Sequence, residues 1–430
     1  MRKHVHRWYC AQRDLLSSQA MGAVTLAMNE LQAALKEEKL NPGRIRIKME
    51  ELEFAANKWL KPYPNAAWRE NVEVLLVAIA VAMGIRTFFL QPFKIPTGSM
   101  QPTLYGVTST PDFGSIFNDI GAGLADRTKI QTEINSQLKL QQTIEIPFFG
   151  GRIRDWFRGI SYVHFIAPTD GMVDQIEKPW PPAFFSIYQR IEFAGTWYTL
   201  WFPPDYGEEL LDVRAGLDYP LRNGESINLL KERVFRKGED VIKLRVHAGD
   251  HLFVDRLTYN FRQPRRGEIV VFETKGIPEE MRDQFNIPSD EFYIKRLVGL
   301  GGETLSIHQD YEVENVPRLG TKPVGHLVVD GQPLSASTPH FANLYGFADV
   351  RRGQKLLEYQ PDHYYGHAML EALAPGDSFQ VATNQYFVMG DNTFNSLDSR
   401  YWGSFPAQYV IGKSSFVYWP ITQRFGWGNQ

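Results

Sequence analysis

The sequence predicts a mainly β domain with large insertions, preceded by one transmembrane helix and an N-terminal helical arm. Three features predict this order: helical periodicity over residues 1–70, an apolar run at 71–91, and short β-branched and aromatic segments from 92 to 430. With 430 residues, 43% of them hydrophobic, the chain is long enough for more than one folding unit.

Composition excludes several classes of function. The formal net charge of −3 argues against a broad basic surface, so we expect no nucleic-acid partner. Cys10 is the single cysteine, so the chain cannot form an intramolecular disulfide. His363 and His367 stand four residues apart but lack a third ligand, and no H-E-x-x-H motif is present. We therefore expect no metal and no cofactor.

The spacing of apolar residues in the N-terminal arm predicts two helices. Apolar residues recur at helical spacing through its first half, at Leu15, Leu16, Met21, Val24, Met28, Leu31 and Leu35. A break is expected at Asn41-Pro42-Gly43, followed by a second helix over residues 45–60. No chemistry-bearing motif is found here, which favours a solvated helical hairpin.

The apolar run at 72–90 predicts a membrane anchor. Its 19 residues would rise about 28 Å as a helix, close to the ~30 Å hydrocarbon core of a bilayer. The uninterrupted apolar stretch, 74–85, is shorter, so a buried core helix remains an alternative. A cleaved signal peptide is disfavoured, because the run begins late and Thr87-Phe88-Phe89 is no small-residue cleavage site.

The distribution of basic residues predicts the orientation of this anchor. Lys58, Lys61 and Arg69 precede it, whereas only Lys94 occurs in the first stretch after it. By the positive-inside rule, the N-terminal arm is expected in the cytoplasm and the remainder of the chain outside.

Beyond the anchor, six segments are typical of strands. They are rich in β-branched and aromatic residues between turn-formers, and they cover 251–257, 267–273, 292–300, 326–331, 379–390 and 414–419. Two long stretches, about 106–228 and 303–378, read as irregular. Whether they are insertions into the β core or a second subdomain stays open.

Ser99 is the first candidate for chemistry. Pro96 and Pro102 restrict the backbone on both sides of it, and Gly98 permits close approach of another segment. The serine follows the predicted membrane surface by about nine residues. A lone serine of this kind is more often a surface turn, so it needs a partner.

Lys295 is the candidate partner, because none of the ten histidines stands in a G-x-S-x-G elbow. A lysine can act as a base when burial lowers its pKa, by roughly 3–5 units at the limit. Strand alternation puts Tyr293 and Lys295 on one face and Arg296 on the other. The strand pattern alone would favour a solvent-facing edge lysine. A third run, 389–403, is dense in turn-forming and hydrogen-bonding residues, and by itself would read as a surface loop.

Together these segments resemble the bacterial type I (leader) signal peptidase family, whose members use a Ser–Lys dyad. Ile95-Pro96-Thr97-Gly98-Ser99-Met100 resembles its nucleophile box, and residues 249–256 and 264–272 resemble its structural strands. Tyr293-Ile294-Lys295-Arg296 resembles the lysine box, and Gly390-Asp391-Asn392 with Ser396, Asp398, Ser399 and Arg400 the last box. The boxes stand in the family's order and cover about 100 residues.

The resemblance implies a role for each matched residue. Ser99 would be the nucleophile and Lys295 its general base. Thr97 would help form the oxyanion hole, Ser396 would orient Lys295, and Asp398 would pair with Arg296 or Arg400. The substrate groove would be lined by Phe93, Ile95, Met100, Leu104, Tyr293 and Ile294. The family usually has Pro-Gly-Asp where this chain has Gly301-Gly302-Glu303, so the turn there is expected to differ.

The implied function is removal of N-terminal signal peptides from exported preproteins by a membrane-bound serine endopeptidase. Its partners would be signal peptides of secretory preproteins and the lipid bilayer. Its place would be the bacterial plasma membrane, single-pass, with the active site on the extracytoplasmic face. An inactive membrane-anchored β scaffold or binding protein is the alternative, and a self-cleaving Ser–Lys regulator is a weaker one.

Residues 148–158 mix aromatic side chains with arginine, as do Trp419, Phe425 and Trp427 near the C-terminus. The sequence leaves open whether these segments rest on a lipid interface or pack as ordinary loops.

Overall fold

The computed structural model describes all residues except 38–40, 62–65, 113–143, 182–185, 208–210, 212–217, 221–225, 229–233, 318, 351–354, 361–362 and 428–430. The chain divides into two compact units, Met1–Met83 and Gly84–Gln430. The described helices are α1 (Arg2–Gln12), α2 (Ser18–Ala34), α3 (Pro42–Trp59), α4 (Ala66–Phe88), α5 (Phe149–Phe157), α6 (Glu279–Phe285), α7 (Ala342–Val350) and α8 (Ser399–Trp402).

The helices of the first unit begin where their capping residues predict. The Ser17 side chain accepts a hydrogen bond from the Ala20 N–H at the start of α2, and Asn41 accepts from the N–H groups of Gly43 and Arg44 at the start of α3. Pro42 fits the first turn of α3, where no backbone donor is required. The expected break at 41–43 is therefore the start of α3, and the part of the arm before it contains two helices, α1 and α2.

Burial in this unit corrects part of the predicted apolar face. The residues that pack together include Val24, Met28, Leu31 and Leu52. Leu15 and Leu35 are exposed, because Leu15 lies in a short turn after α1 and Leu35 caps the end of α2. Helical spacing holds only inside a helix, and both residues stand outside one.

Helix α4 contains a 21-residue stretch, Trp68–Phe88, that is long and apolar enough to cross a membrane, with a mean hydropathy of 1.7. None of its apolar window is buried in the protein. Its exposure disfavours the core-helix alternative, since a core helix buries its apolar side chains.

The second unit is built from strands, which confirms the prediction of a mainly β domain. In chain order they are β1 (Leu90–Lys94), β2 (Thr108–Pro111), β3 (Ile160–Ile166), β4 (Val173–Ile176), β5 (Tyr188–Phe193), β6 (Thr196–Trp201), β7 (Asp218–Pro220), β8 (Ser226–Asn228), β9 (Asp240–His247), β10 (His251–Asp255), β11 (Ile269–Glu273), β12 (Phe292–Gly299), β13 (Thr304–Val316), β14 (Gly320–Val329), β15 (Gln332–Pro333), β16 (Leu356–Glu358), β17 (His367–Ala368), β18 (Phe379–Gln380), β19 (Gln385–Met389), β20 (Phe405–Pro406), β21 (Val410–Trp419) and β22 (Gly426–Trp427).

The largest sheet in the described part of the chain is antiparallel and runs β1-β10-β21-β11-β12-β19-β20, with β22 added on β21. The position of β11 between two hydrophobic clusters explains why Ile269–Phe272 are all apolar. Ile269 and Val271 contribute to one hydrophobic cluster, and Val270 and Phe272 to another. Because successive side chains point to opposite faces, a strand covered on both sides reads as a continuous apolar run.

The stretches expected to be irregular contain sheets, so that part of the prediction was wrong, although the strand predicted at 326–331 overlaps the end of β14. Within 303–378, β13 and β14 form a long antiparallel pair in a six-stranded sheet. Register shifts at Gln309–Tyr311 and Val313–Val316 break the two-residue period on which strand recognition depends. Within 106–228, strands β2 and β3, which both pair with β9, and the sheet β4-β5-β6 are likewise missed, and 113–143 lies outside the described residues.

A close backbone approach fixes the segment that leads to Ser99. The Ile95 N–H donates to the carbonyl of Asp250 at 2.9 Å. A Cβ atom added to the neighbouring Gly249 would lie only 1.9 Å from the Ile95 carbonyl oxygen. Only glycine at position 249 lets the segment after β1 lie this close to the segment before β10.

We expect Gly249→Ala to destabilise the second unit by about 1–3 kcal/mol, the usual cost of forcing atoms into a packed site. Thermal or urea unfolding of the purified chain measures it. The matched control is Gly346→Ala in α7, where an added Cβ would meet nothing within 4 Å. A helical Gly→Ala change should stabilise by about 0.5–1 kcal/mol, and equal unfolding of both variants would contradict the assignment of Gly249.

Candidate active site

Ser99 lies in a short 3-10 turn, Gly98–Met100, four residues after β1 ends. Its backbone is held by Asn392, whose N–H donates to the Ser99 carbonyl at 3.0 Å. The Asn392 side chain also donates to the carbonyl of Gly98 at 3.1 Å. On the other side of the segment, Gly106 approaches Thr97 so closely that an added Cβ would lie 2.1 Å from the Thr97 carbonyl. The serine turn is thus fixed by backbone contacts.

Lys295 lies in β12, next to Val270 of β11. Its Nζ is 2.7 Å from the Ser99 Oγ, although 196 positions separate the two residues in sequence. Each residue is only 5% exposed. The Nζ also lies 5.6 Å from the Tyr293 ring centroid, as expected for two residues on one strand face. The structure therefore brings together the two residues that the sequence analysis paired.

This pair has the geometry of an activated nucleophile. A serine hydroxyl becomes a nucleophile when a base within hydrogen-bonding distance takes its proton. Burial disfavours a charged ammonium, and a neutral amine is the form that can accept that proton. A buried amine in contact with a buried hydroxyl can therefore support acyl transfer.

Arg296, the next residue on β12, has a different environment. Its guanidinium forms a bidentate pair with Asp391, at 2.7 and 2.6 Å, and both side chains are 1% exposed. It also donates to the Gly267 carbonyl and to the Thr103 hydroxyl. Thr103 in turn donates to Asp391 at 2.5 Å. This network, Arg296–Asp391–Thr103, links the lysine strand to the segment just after the serine turn.

A second buried pair orders the loop after β19. Asp398 pairs with Arg400 at 2.7 Å and accepts the Gly390 N–H at 2.9 Å. Burial alone would raise the pKa of Asp398, but the charge and hydrogen bonds of Arg400 outweigh it and the pKa is lowered. Arg400 also donates to the hydroxyl and carbonyl of Thr393. Of the two expected partners, Asp398 thus takes Arg400, while Arg296 takes Asp391.

Ser396 and Thr97 lie close to the segment that carries Ser99, and their expected roles stay predictions. Ser396 is buried, and its Oγ forms no hydrogen bond to Lys295. Its Oγ faces Gly390, where an added Cβ would come within 2.2 Å of it. Thr97 is half-buried with an extended backbone just before the serine turn.

The six residues expected to line a groove fall into two groups. Ile95, Met100 and Leu104 are buried in one hydrophobic cluster with strands β10 and β11. Phe93, Tyr293 and Ile294 are half-buried. The ring of Phe93 also meets Phe292 edge to face, with centroids 5.4 Å apart. The first group contacts the core more than solvent, and a substrate role for any of the six remains a prediction.

The turn after β12 closes although its sequence departs from the family pattern. The Glu303 carboxylate accepts the Leu300 N–H at 2.6 Å and contacts the Arg266 guanidinium. Gly302 takes the left-handed backbone conformation, with φ +93°, that such a turn requires. Glutamate thus satisfies this turn through its own side chain.

Histidines and carboxylates do not gather into a metal site in the described ranges, where no group of three His, Cys, Asp or Glu residues could hold an ion. His367 is a satisfied core residue: it is buried and its Nδ1 lies 2.6 Å from the Tyr345 hydroxyl. Burial lowers the pKa of His367 to about 3, which keeps it neutral.

Three contributions to the site were not predicted from the sequence: the hydroxyl of Thr103, the hydrogen bonds of Asn392 to the serine turn, and the pairing of Asp391 with Arg296. Each stands inside a segment that had been singled out, so proximity along the chain was a signal. Their contacts join positions 288 and 294 residues apart, which no local pattern encodes.

Comparison with known proteins gives a consistent result. The model of the signal peptidase family, peptidase S26, matches residues 68–108 and 242–419, together just over half of the chain. A signal peptidase I of Leptolyngbya laminosa is 30% identical over 178 residues, which span 41% of this chain and 64% of that protein. The chain thus spans just under two thirds of that relative. A probable signal peptidase I-1 of Synechocystis sp. is 30% identical over 184 residues, 43% of this chain and 68% of that protein.

The crystal structure of a signal peptidase I from Enterococcus faecalis V583 is 25% identical and covers 35% of this chain and 97% of that chain. Its TM-score is 0.22, too low to support a conclusion about the fold. The ranges matched by the family model contain Ser99, Lys295 and the whole 389–403 loop, and they include 303–378 but not 109–241. The chain belongs to the signal peptidase family, peptidase S26.

Proposed function

We propose that this chain is a membrane-anchored serine endopeptidase that removes signal peptides from exported preproteins by a Ser–Lys dyad. The observation that carries the proposal is the 2.7 Å contact between the Lys295 amine and the Ser99 hydroxyl, with both side chains buried. Membership of the family and the names of the relatives, which are signal peptidases I, support the same reaction and substrate class.

The proposed chemistry uses only groups of this chain. Lys295, neutral, takes the proton of Ser99 as the Oγ attacks the scissile carbonyl. The amine then gives that proton to the leaving amino group, and later activates the water that releases the acyl-enzyme. The Ser99 N–H and the Thr97 hydroxyl are proposed to stabilise the oxyanion, where one such donor is worth roughly 2.7–4 kcal/mol.

The substrate is proposed to bind as an extended strand beside β12. Pairing between β12 and β19 begins at Arg296, which faces Met389. Phe292 and Ile294, at the start of β12, therefore have no partner in β19. Main-chain pairing at such a place would align the peptide, and its alternate side chains would face shallow apolar pockets. Small residues at the first and third positions before the cut would fit, as in signal peptides.

Location follows from the helix α4. The stretch Trp68–Phe88 is proposed to cross the plasma membrane once, with the N-terminal arm on the cytoplasmic side, since Lys58 and Lys61 precede it and Arg69 lies at its very start. Because β1 begins directly after α4, at Leu90, the dyad would work close to the outer membrane surface, where signal peptides emerge.

We expect Ser99→Ala and Lys295→Met to abolish cleavage of a preprotein with an Ala-x-Ala site, by about a thousandfold or more, since each removes one half of the dyad. The assay uses the full chain in detergent and gel separation of precursor and mature forms. Lys275→Ala, which changes an exposed lysine, is the matched control and should retain parent activity. Full activity in Lys295→Met would overturn the dyad and leave the anchored β scaffold as the better description.

The rate should rise with pH through an apparent pKa well below the ~10.4 of a free lysine, because only the neutral amine accepts a proton. The kcat/KM profile between neutral and alkaline pH measures it. Lys94 needs a control, because burial lowers its pKa to about 8. Lys94→Gln should leave the inflection in place. An inflection that moves with Lys94 would reject Lys295 as the titrating group.

Thr103→Val should reduce kcat by about tenfold and change KM by less than about twofold, because the serine turn loses its link to Asp391 while the substrate surface is untouched. The loss of a buried hydrogen bond should also cost about 1–3 kcal/mol of stability. Thr103→Ser keeps the hydroxyl and should restore kcat. If serine fails to rescue, methyl packing and not the Arg296–Asp391–Thr103 network would be what matters.

A further inference from the structure

Tyr345 of α7 lies at the centre of a buried hydrogen-bonded group in the stretch 303–378. Its hydroxyl accepts the Leu327 N–H of β14 at 3.1 Å and lies 2.6 Å from the His367 Nδ1 of β17. Tyr345 and His367 are 0% and 1% exposed. Because burial lowers the pKa of His367 and keeps the ring neutral, its Nδ1 can accept the tyrosine proton. One hydroxyl therefore joins α7, β14 and β17.

The strand that carries His367 contacts the loop after β19. Ala368, the next residue of β17, donates its N–H to the Thr393 hydroxyl at 2.6 Å. The Ala368 carbonyl accepts a hydrogen bond from the Arg400 guanidinium at 3.3 Å. The Thr393 hydroxyl also accepts from Arg400, at 2.7 Å. Ala368, Thr393 and Arg400 are all buried, so β17 holds this loop through contacts that exclude water.

The same loop holds the backbone of Ser99. Arg400 pairs with Asp398, and Asp398 accepts the Gly390 N–H. A Cβ atom added to Gly390 would lie 2.5 Å from the Ser99 carbonyl oxygen. Asn392 donates its N–H to the same oxygen at 3.0 Å. A buried series of contacts therefore runs from β17 through the loop to the backbone of the proposed nucleophile.

A second contact reaches the strand of the proposed base. Phe341, directly before α7, is fully buried, and the Arg296 guanidinium lies 5.6 Å from its ring centroid. The rings of Phe341 and Tyr345 are stacked, with centroids 5.9 Å apart. Arg296 is adjacent to Lys295 and pairs with Asp391 of the loop. Since a cation within about 6 Å of a ring face is attracted to it, the segment that carries Tyr345 also stabilises Arg296.

Apolar packing alone does not explain these polar groups. The hydrophobic cluster around Tyr345 includes Leu305, Leu327 and Met369, so a phenylalanine would fill the same space. A buried hydroxyl and a buried imidazole each cost free energy unless they are hydrogen-bonded, and the bond restricts their relative geometry. That geometry fixes where β17 lies, and β17 carries the groups that hold Arg400.

We propose that Tyr345 and His367 are positioning residues for the reaction: their hydrogen bond fixes β17, which in turn fixes the loop that holds Ser99. The inference rests on the proposed function, because it concerns the rate of the same Ser–Lys chemistry. Neither residue is assigned a contact with substrate. The stretch 303–378 would contribute to catalysis by holding the nucleophile in place, where a displacement of about 1 Å can reduce the rate by roughly a hundredfold.

Tyr345→Phe removes one oxygen atom and tests the positioning in the full chain in detergent. We expect kcat for a peptide with an Ala-x-Ala site to fall about five- to tenfold, with KM changed by less than about twofold, because the nucleophile shifts while the substrate surface stays. The matched control is Tyr206→Phe, which removes a buried hydroxyl that donates to Gln189 at 3.1 Å in the other long stretch. Equal kcat values in the two variants would overturn the proposal.

A double-mutant cycle tests the pair. His367→Leu should lower kcat as much as Tyr345→Phe does, and the double variant should lose no more than about twofold beyond either single variant, because all three lack the same bond. His367→Asn keeps an acceptor near the position of Nδ1 and should restore about half of kcat or more. Losses that multiply, or no rescue by asparagine, would indicate separate packing effects and reject the positioning role.

Amide hydrogen exchange separates this inference from the proposed function, because it requires no activity. Tyr345→Phe should raise the exchange rates of the Gly390 and Asn392 amides by about threefold or more, since both are hydrogen-bonded within the site, and Tyr206→Phe should leave them unchanged. A parent that cleaves no preprotein while these amides respond would overturn the proposed function and leave the positioning of Ser99 in place. A parent that cleaves while neither kcat nor exchange responds would overturn the inference alone.

Discussion

The proposed active site depends on one buried contact, between the amine of Lys295 and the hydroxyl of Ser99. Lys295 and Ser99 are each 5% exposed, and their reactive atoms are 2.7 Å apart. In water a lysine remains an ammonium and cannot take a proton from serine, so exclusion of solvent is the source of the proposed reactivity. Strand β12 contributes the amine, and the turn after β1 contributes the hydroxyl. Most of the surrounding structure serves to hold these two elements together.

Strand β12 carries two basic residues next to each other, and their surroundings differ. Lys295 is set against an uncharged hydroxyl, whereas Arg296 is given a bidentate carboxylate, a carbonyl and a second hydroxyl. A buried guanidinium is costly unless its hydrogen bonds are satisfied, and Arg296 has partners for all three of its nitrogens. Asp391, which neutralises Arg296, also accepts a hydrogen bond from Thr103. The same carboxylate therefore fixes the segment that follows Ser99.

The elements that sequence could predict are those with a local signal. Strands β10, β11, β12 and β21 carry dense β-branched or aromatic residues, and α4 is long and apolar, so each was predicted near its observed place. Strand β13 was missed because bulges shift its period, and the short strands between β2 and β9 lie among turn-formers. In the site, family resemblance indicated Ser99 and Lys295. Which carboxylate pairs with which arginine, Asp391 with Arg296 and Asp398 with Arg400, depends on how the loop after β19 folds back. Such a choice has no local pattern.

The two long stretches, 106–228 and 303–378, are each flanked by strands that pair with one another. The one between β2 and β9 starts and ends on a pair in which Thr108 faces His247, and the other connects β12 with its sheet neighbour β19. Their ends are therefore already close, and the entropy of closing a loop grows only slowly with its length. Residues can therefore be inserted or deleted between such paired strands at little cost in free energy to the active site. A protease built in this way can vary the surface around its site while its reacting atoms remain where they are.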